Sequence, residues 1–86
     1  MSRLKLVYFA WVRERVGKTE EEVEVPGEVA TVADLVHWLS SRGEEYAYAF
    51  ENEGVVRAAI DRVHAKPGSA IAGAQEIAFF PPMTGG

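Results

Sequence analysis

Apolar and polar positions along the chain fall into short, well-punctuated segments. Leu4-Lys5-Leu6-Val7-Tyr8-Phe9-Ala10 is aromatic and branched with no Gly or Pro, which predicts a strand. Its alternation puts Leu6 and Tyr8 on one face and Lys5, Val7 and Phe9 on the other. Trp11 to Val16 is short, charged and closed by Gly17, so one helical turn or a loop is expected there. Glu20 to Val25 predicts a second strand, with Val23 and Val25 alternating against acids and Pro26-Gly27 stopping it. The two segments are close enough for an antiparallel hairpin with a long connection. Thr31 opens the clearest helix, as N-cap with Asp34 in the first turn. Val32, Leu35, Val36 and Leu39 then form an apolar stripe, and Gly43 is the expected stop. Glu44 to Glu51 predicts a short second helix that packs through Tyr46, Ala47 and Phe50. Val55 to Ala65 is a strand, or two short strands joined by a turn near Asp61-Arg62. Pro67-Gly68 and Gly73-Ala74 mark loop, and Glu76 to Phe80 is a last strand that Pro81-Pro82 ends, since neither proline can donate to a ladder.

A hairpin, one main helix, a short helix and a terminal strand describe an α+β chain of the ubiquitin-like β-grasp type: a mixed sheet with one main helix packed across it. Residues 1–80 form the domain and residues 81–86 a flexible C-terminal tail. In that arrangement the last strand lies centrally beside the first, in parallel. Ile77 and Phe79 then share one face and Glu76, Ala78 and Phe80 the other. Phe9 and Phe80 fall on neighbouring strands, on the face away from the helix.

Composition narrows what such a domain can do. At 86 residues the core is thin, because a chain this short buries only about 60–65% of its unfolded surface. There is no cysteine, hence no disulfide, thiolate nucleophile or thiolate metal ligand. The net charge of −4 argues against nucleic acid as a partner. Residues 1–18 carry a local +4 through Arg3, Lys5, Arg13, Arg15 and Lys18 against Glu14, which leaves −8 on the remainder and suggests a protein partner of complementary charge. No apolar run approaches the roughly 18 residues that span a membrane, and Lys5 interrupts the one segment resembling a signal peptide, so a cytoplasmic location is expected.

No residue set supports catalysis by this chain alone. His37 is expected on the solvated face of the helix, and His64 has no second ligand at metal spacing. Glu20-Glu21-Glu22 is expected as an exposed strand edge, Trp11 and Trp38 as packing anchors, and Asp61 as a surface partner of Arg62 or Arg57. The tail is more informative. Pro81-Pro82-Met83-Thr84-Gly85-Gly86 spans at most about 20 Å, stiff at the base through its prolines and free of any Cβ at the tip. Such an arm fits a narrow channel and presents the Gly86 carboxylate. A carboxylate is a poor acyl donor until activated, most simply as an acyl-adenylate made from ATP by another protein. Sulfur can then displace AMP and leave a thiocarboxylate.

Phe79-Phe80-Pro81-Pro82-Met83-Thr84-Gly85-Gly86 closely resembles the end of the molybdopterin synthase small subunit (MoaD) family, and Val7-Tyr8-Phe9-Ala10-Trp11-Val12-Arg13-Glu14 resembles its start. Length, element order and the helix near Thr31 extend the resemblance over essentially the whole chain. Gly-Gly by itself equally fits the thiamine sulfur carrier or other ubiquitin-like carriers and modifiers. The resemblance implies adenylation of Gly86 by an enzyme related to the ubiquitin-activating family, then thiocarboxylate formation, with Gly85 leaving the end unhindered. It implies sulfur donation to cyclic pyranopterin monophosphate in the large subunit, MoaE, within a heterotetramer. The chain would be a non-catalytic subunit with no tightly bound cofactor, ATP being used by the activating enzyme. Phe9, Arg13, Phe80, Pro81, Pro82, Met83 and Thr84 match the family's partner-binding positions. At Val63-His64 the family is usually apolar and the stretch helps form the interface; His64 departs from that pattern, which bears on the local contact and not on the tail chemistry.

Overall fold

Leu4, Leu6 and Tyr8 turn inward from strand β1 (Ser2–Tyr8), and Val23 and Val25 do the same from β2 (Glu20–Val25). The computed structural model describes residues 2–52 and 54–82. Its remaining elements are helices α1 (Ala10–Val16), α2 (Val32–Ser40) and α3 (Glu44–Ala49), and strands β3 (Arg57–Ile60), β4 (Val63–Ala65) and β5 (Glu76–Phe80). One mixed sheet runs in the order β2-β1-β5-β3-β4. β5 is central: it pairs in parallel with β1, Leu6 opposite Ile77 and Tyr8 opposite Phe79, and antiparallel with β3, Ala58 opposite Phe79. The expected α+β, ubiquitin-like arrangement is therefore the observed one.

The helices cover one face. Leu35 and Leu39 of α2 meet Leu6, Tyr8, Ile77 and Phe79 in a single apolar cluster in which all six are fully buried. Each such aliphatic side chain contributes about 1.5–3 kcal/mol by leaving water. Phe79 organises the aromatic part, stacked on Tyr8 at 6.2 Å and meeting Phe50 edge-on at 5.1 Å. Trp11 and Trp38 are packed against this cluster, as their anchor role requires.

Local rules account for most boundaries. Thr31 caps α2 through its side-chain oxygen, which accepts the Asp34 N–H at 3.1 Å, while Asp34 accepts the N–H groups of Ala30 and Thr31. The Val32 and Ala33 N–H groups, unsatisfied within the helix, reach the Ser69 and Pro67 carbonyls at 3.0 and 2.8 Å. Asp61 and Arg62 both take positive φ, 48° and 73°, the pairing a two-residue hairpin turn demands, and split the 55–65 segment into β3 and β4.

Five expectations need correction. Trp11 to Val16 is a true helix, α1, extended by Ala10 and terminated by left-handed Gly17 (φ 84°), whose N–H donates to the Arg13 carbonyl. Gly43 does not stop α2. Ser40 and Ser41 hydroxyls take the Val36 and Trp38 carbonyls at 2.9 and 2.6 Å, so the helix ends at serine, and Gly43 instead precedes α3. In α3 the inward alanine is Ala49 and not Ala47, because the helix is rotated to bury Tyr46 and Phe50 follows it inward. Asp61 pairs with no arginine; its Oδ1 accepts the backbone N–H groups of Gln75 and Glu76 at 3.0 and 2.9 Å, tying the β3–β4 turn to the start of β5.

Glu21 is the fifth. It shares the inward face of β2 with Val23 and Val25, and its side chain is only 12% exposed, unlike Glu20 and Glu22. Its Oε2 accepts the hydroxyls of Tyr46 at 2.6 Å and Tyr8 at 2.8 Å, while Lys18 and Arg42 approach its Oε1 at 3.4 and 3.5 Å. Burial alone would raise the Glu21 carboxyl, but the Tyr46 and Tyr8 hydrogen bonds and the Lys18 and Arg42 charges outweigh it and hold it below its ordinary value. Burial, followed by the same carboxylate, pushes both tyrosine hydroxyls up.

Two tests follow from these contacts. Because the folded Glu21 carboxyl titrates below the ordinary glutamate value of 4.5, its contribution is complete above that pH and is lost as pH falls through the lower folded value. Glu21→Gln is expected to cost about 1–3 kcal/mol at neutral pH and to flatten this part of the acid limb in denaturant unfolding; an unchanged limb refutes it. Asp61→Ala removes the oxygen that accepts from both N–H groups at the start of β5 and is expected to cost about 1–3 kcal/mol, checked by the shift in denaturation midpoint.

Candidate functional site

Among the described residues, no helix covers the face of the sheet opposite α1, α2 and α3. Alternation brings Lys5 and Val7 from β1, Glu76, Ala78 and Phe80 from β5, Arg57 and Ala59 from β3, and His64 from β4 to this side. Val7, Ala59, Ala78 and Phe80 are each partly exposed, which leaves an apolar centre across three strands. Phe9 continues β1 beside the end of β5, where its N–H donates to the Phe79 carbonyl at 3.0 Å. Phe9 is 47% exposed, a large value for phenylalanine in so small a domain. Phe9 is also the N-cap residue of α1, and its carbonyl accepts the Val12 and Arg13 N–H groups at 3.1 and 3.3 Å. Ala10 follows with φ 53°, a region that costs an L-residue about 1–2 kcal/mol, at the turn from strand into helix.

The structure therefore places Phe9 and Phe80 on neighbouring chain segments at one end of the sheet. Arg13 lies exposed one turn along α1 from Phe9. Pro81 and Pro82 continue β5 without strand pairing and are partly exposed. Met83, Thr84, Gly85 and Gly86 lie outside the described residues. His37 is exposed on α2.

Arg57 and Lys66 were not among the residues singled out for partner contact, whereas His64 stood out as the polar departure in the Val63-His64 stretch. Arg57 stands opposite Phe80 in the β3–β5 register. His64 is tilted against the Phe80 ring with centroids 5.7 Å apart. Lys66 follows β4, one step past the Ala58–Ala65 pair and so across from Arg57. The signal for them was present as the alternation Arg57-Ala59 and His64-Lys66, but it needed the strand order to point it at Phe80.

Other places offer less. A groove of about 300 Å³ between α2 and the β3–β4 hairpin is lined mainly by Val32, Val36, Val56, Ala65 and Pro67, on the helix side. Among the described residues no group of three or more His, Cys, Asp or Glu side chains is placed to hold a metal ion. No described helix is long and apolar enough to cross a membrane.

Comparison with known proteins fits this geometry. The molybdopterin synthase sulfur carrier subunit of Escherichia coli (strain K12) is 34% identical over 83 residues, 96% of this chain and 99% of that protein. Among solved structures, Haloferax volcanii small archaeal modifier protein 1 superposes with a TM-score of 0.73 at 26% identity, over 96% of this chain and all of that one. A Pyrococcus furiosus chain provisionally named subunit 1 of a molybdopterin converting factor gives a TM-score of 0.73 at 25% identity, with the same coverage. The family model that matches residues 6–86 is that of ThiS, and with it the chain belongs to the ThiS family.

Proposed function

We propose that this chain is a cytoplasmic sulfur carrier for molybdopterin synthase and carries sulfur as a thiocarboxylate on Gly86. The observation that carries the reading is a family match running through Gly85-Gly86, in a chain whose preceding strand ends beside an uncovered aromatic face.

The chemistry needs a partner at each step. In an activating enzyme of the ubiquitin-activating type, a Gly86 carboxylate oxygen attacks the α-phosphorus of ATP; pyrophosphate leaves and an acyl-adenylate forms. A sulfide donor then attacks the acyl carbon and AMP leaves, which gives the thiocarboxylate. In the large synthase subunit, the MoaE-like partner of a heterotetramer, the thiocarboxylate sulfur bonds to an electrophilic carbon of the pterin precursor as an oxygen substituent leaves that carbon. Water then cleaves the acyl–sulfur bond, which returns the Gly86 carboxylate and leaves the sulfur on the pterin. This chain's part is reach and presentation. Pro81-Pro82 stiffen the base of the arm, and Gly85-Gly86 keep the tip free of side chains. Phe9, Phe80 and Arg13 form the docking side, with Met83 and Thr84 inside the channel. No metal or tightly bound cofactor is required of this chain, and neither nucleic acid nor membrane is a partner.

A second reading has its own support. The Haloferax volcanii likeness is to a protein named as a modifier, so Gly86 could instead end in an isopeptide bond to a lysine. Thiamine or tRNA sulfur carriers are the nearer alternative, separated by the acceptor they serve.

Intact mass after incubation with ATP, sulfide and the cognate activating enzyme is the direct test. The expected gain equals one sulfur replacing one oxygen, is absent after deletion of Gly86, and leaves the melting temperature of the deleted chain unchanged. Conjugates to substrate lysines in place of that gain would favour the modifier reading, and no change with an active enzyme would refute both. Phe80→Ala and Phe9→Ala are each expected to weaken binding to the large subunit by about 2 kcal/mol, roughly 30-fold in Kd by calorimetry. Unchanged affinity for both would remove the sheet face from the interface.

A further inference from the structure

The charges on the open face are sorted by strand. β2 carries Glu20, Glu22 and Glu24, all exposed, at one edge of the sheet. Toward the other edge, on β3 and β4 at the Phe80 end of the sheet, Arg57 stands opposite Phe80, His64 lies against its ring and Lys66 follows β4 across from Arg57. The cations elsewhere are mostly spoken for: Lys5 meets Glu20, Arg15 meets Glu51, and Lys18 and Arg42 meet Glu21. Among the described residues neither Arg57 nor Lys66 forms an ion pair; Arg57 donates to the Gly54 carbonyl at 3.2 Å, and the Lys66 N–H meets the Ser69 hydroxyl. The face is thus apolar in the middle, acidic at β2 and basic at the β3–β4 corner.

The covalent reach of the tail makes that corner matter. Met83 to Gly86 are four residues, and four extended residues span at most about 14 Å. Any protein whose active site receives Gly86 must therefore come within that distance of Pro82, and so approach the end of the sheet that carries Phe80. A basic corner brought under a neutral or basic surface would be desolvated without compensation. Under carboxylates it gains charge-assisted hydrogen bonds, strongest for the planar Arg57 guanidinium.

We propose that Arg57, Lys66 and His64 form a partner-selecting patch that meets an acidic rim on the protein receiving the tail, while the acidic β2 edge excludes the reversed orientation. This rests on the sulfur-carrier reading and adds to it the chemistry of the partner's rim. The sorted charges fix how the partner lies across the sheet, because turning it around would set carboxylate against carboxylate at β2. Phe80 and Phe9 supply apolar contact and the corner supplies steering and register.

Association with the purified large subunit tests this by stopped-flow or surface plasmon resonance between about 0.05 and 0.5 M salt. Wild-type association is expected to slow about tenfold over that range. The double variant Arg57→Gln, Lys66→Gln is expected to associate about tenfold more slowly at low salt and to lose most of the salt dependence, with a smaller change in dissociation. Arg57→Lys, which keeps the charge, is expected to keep the salt dependence. Arg3→Gln, at the far end of β1, is expected to change the rate less than about twofold, since it lies beyond a screening length of about 10 Å. Wild-type association indifferent to salt, or a double variant matching wild type in rate and salt dependence, overturns the patch; persistence of sulfur loading and large-subunit binding in that case leaves the carrier reading intact. Failure of the wild type to bind the large subunit under any salt overturns the carrier reading and the patch with it. The wild-type salt dependence needs no variant, so the outcome stands even if a substitution impairs folding.

Discussion

The parallel pairing of β1 with β5 governs where everything else in the molecule can go. Parallel strands cannot be joined by a tight turn, so a long crossover must connect them, and its helices α1, α2 and α3 all pack on one side of the sheet. With all three helices on one face, no described helix covers the opposite one. The pairing also places Ile77 and Phe79, fully buried, in the middle of the core, with β1 and β3 on their flanks. Remove the pairing and the hairpin β1–β2 and the hairpin β3–β4 have no common element. The Asp61 carboxylate, which holds Gln75 and Glu76, strengthens this junction from the side of the second hairpin.

A chain with so thin a core also has to close its helix layer without much apolar area. The Glu21 network serves that end. One carboxylate gathers two tyrosine hydroxyls and two cations from β1, α3 and the segments flanking them, and no described buried side-chain polar atom lacks a partner. The rings add to this: Arg42 lies 5.2 Å from the Trp38 ring and 5.1 Å from that of Tyr46, and Arg15 is held between Trp11 and Tyr48 at 4.7 and 4.1 Å. Where an inward position on β2 would meet polar groups, a charged residue is thus the stable choice, provided all its acceptor sites are used.

Much of this was legible in the residues. Val32, Leu35, Val36 and Leu39 announced α2, and Thr31 with Asp34 announced its start, because periodicity and capping are local properties. The split at Asp61-Arg62 was visible for the same reason. The β1–β5 partnership followed from the order of elements and not from any local signal. What escaped was set by partners far away in sequence. Glu21 reads as one of three equivalent acids until Tyr8 and Tyr46 are placed beside it, and Asp61 reads as an arginine partner until β5 is brought to its turn. Likewise, Gly43 was the obvious helix stop, but serine hydroxyls had already satisfied the terminal carbonyls. At the candidate site, Phe9 and Phe80 could be assigned to one face from alternation, whereas the basic residues next to Phe80 belong to another hairpin and became neighbours only through the sheet.

Because the arm bearing Gly86 is a direct continuation of the central strand, force applied to it has a defined path through the molecule. A pull along β5 loads the hydrogen bonds to β1 and to β3 together, in shear, so that no single bond can open ahead of the rest. An arm attached to an edge strand such as β4 would peel its ladder one bond at a time. A load on the C-terminal end of β5 is therefore shared by the sheet as a whole, and the body keeps its shape as a mechanical anchor.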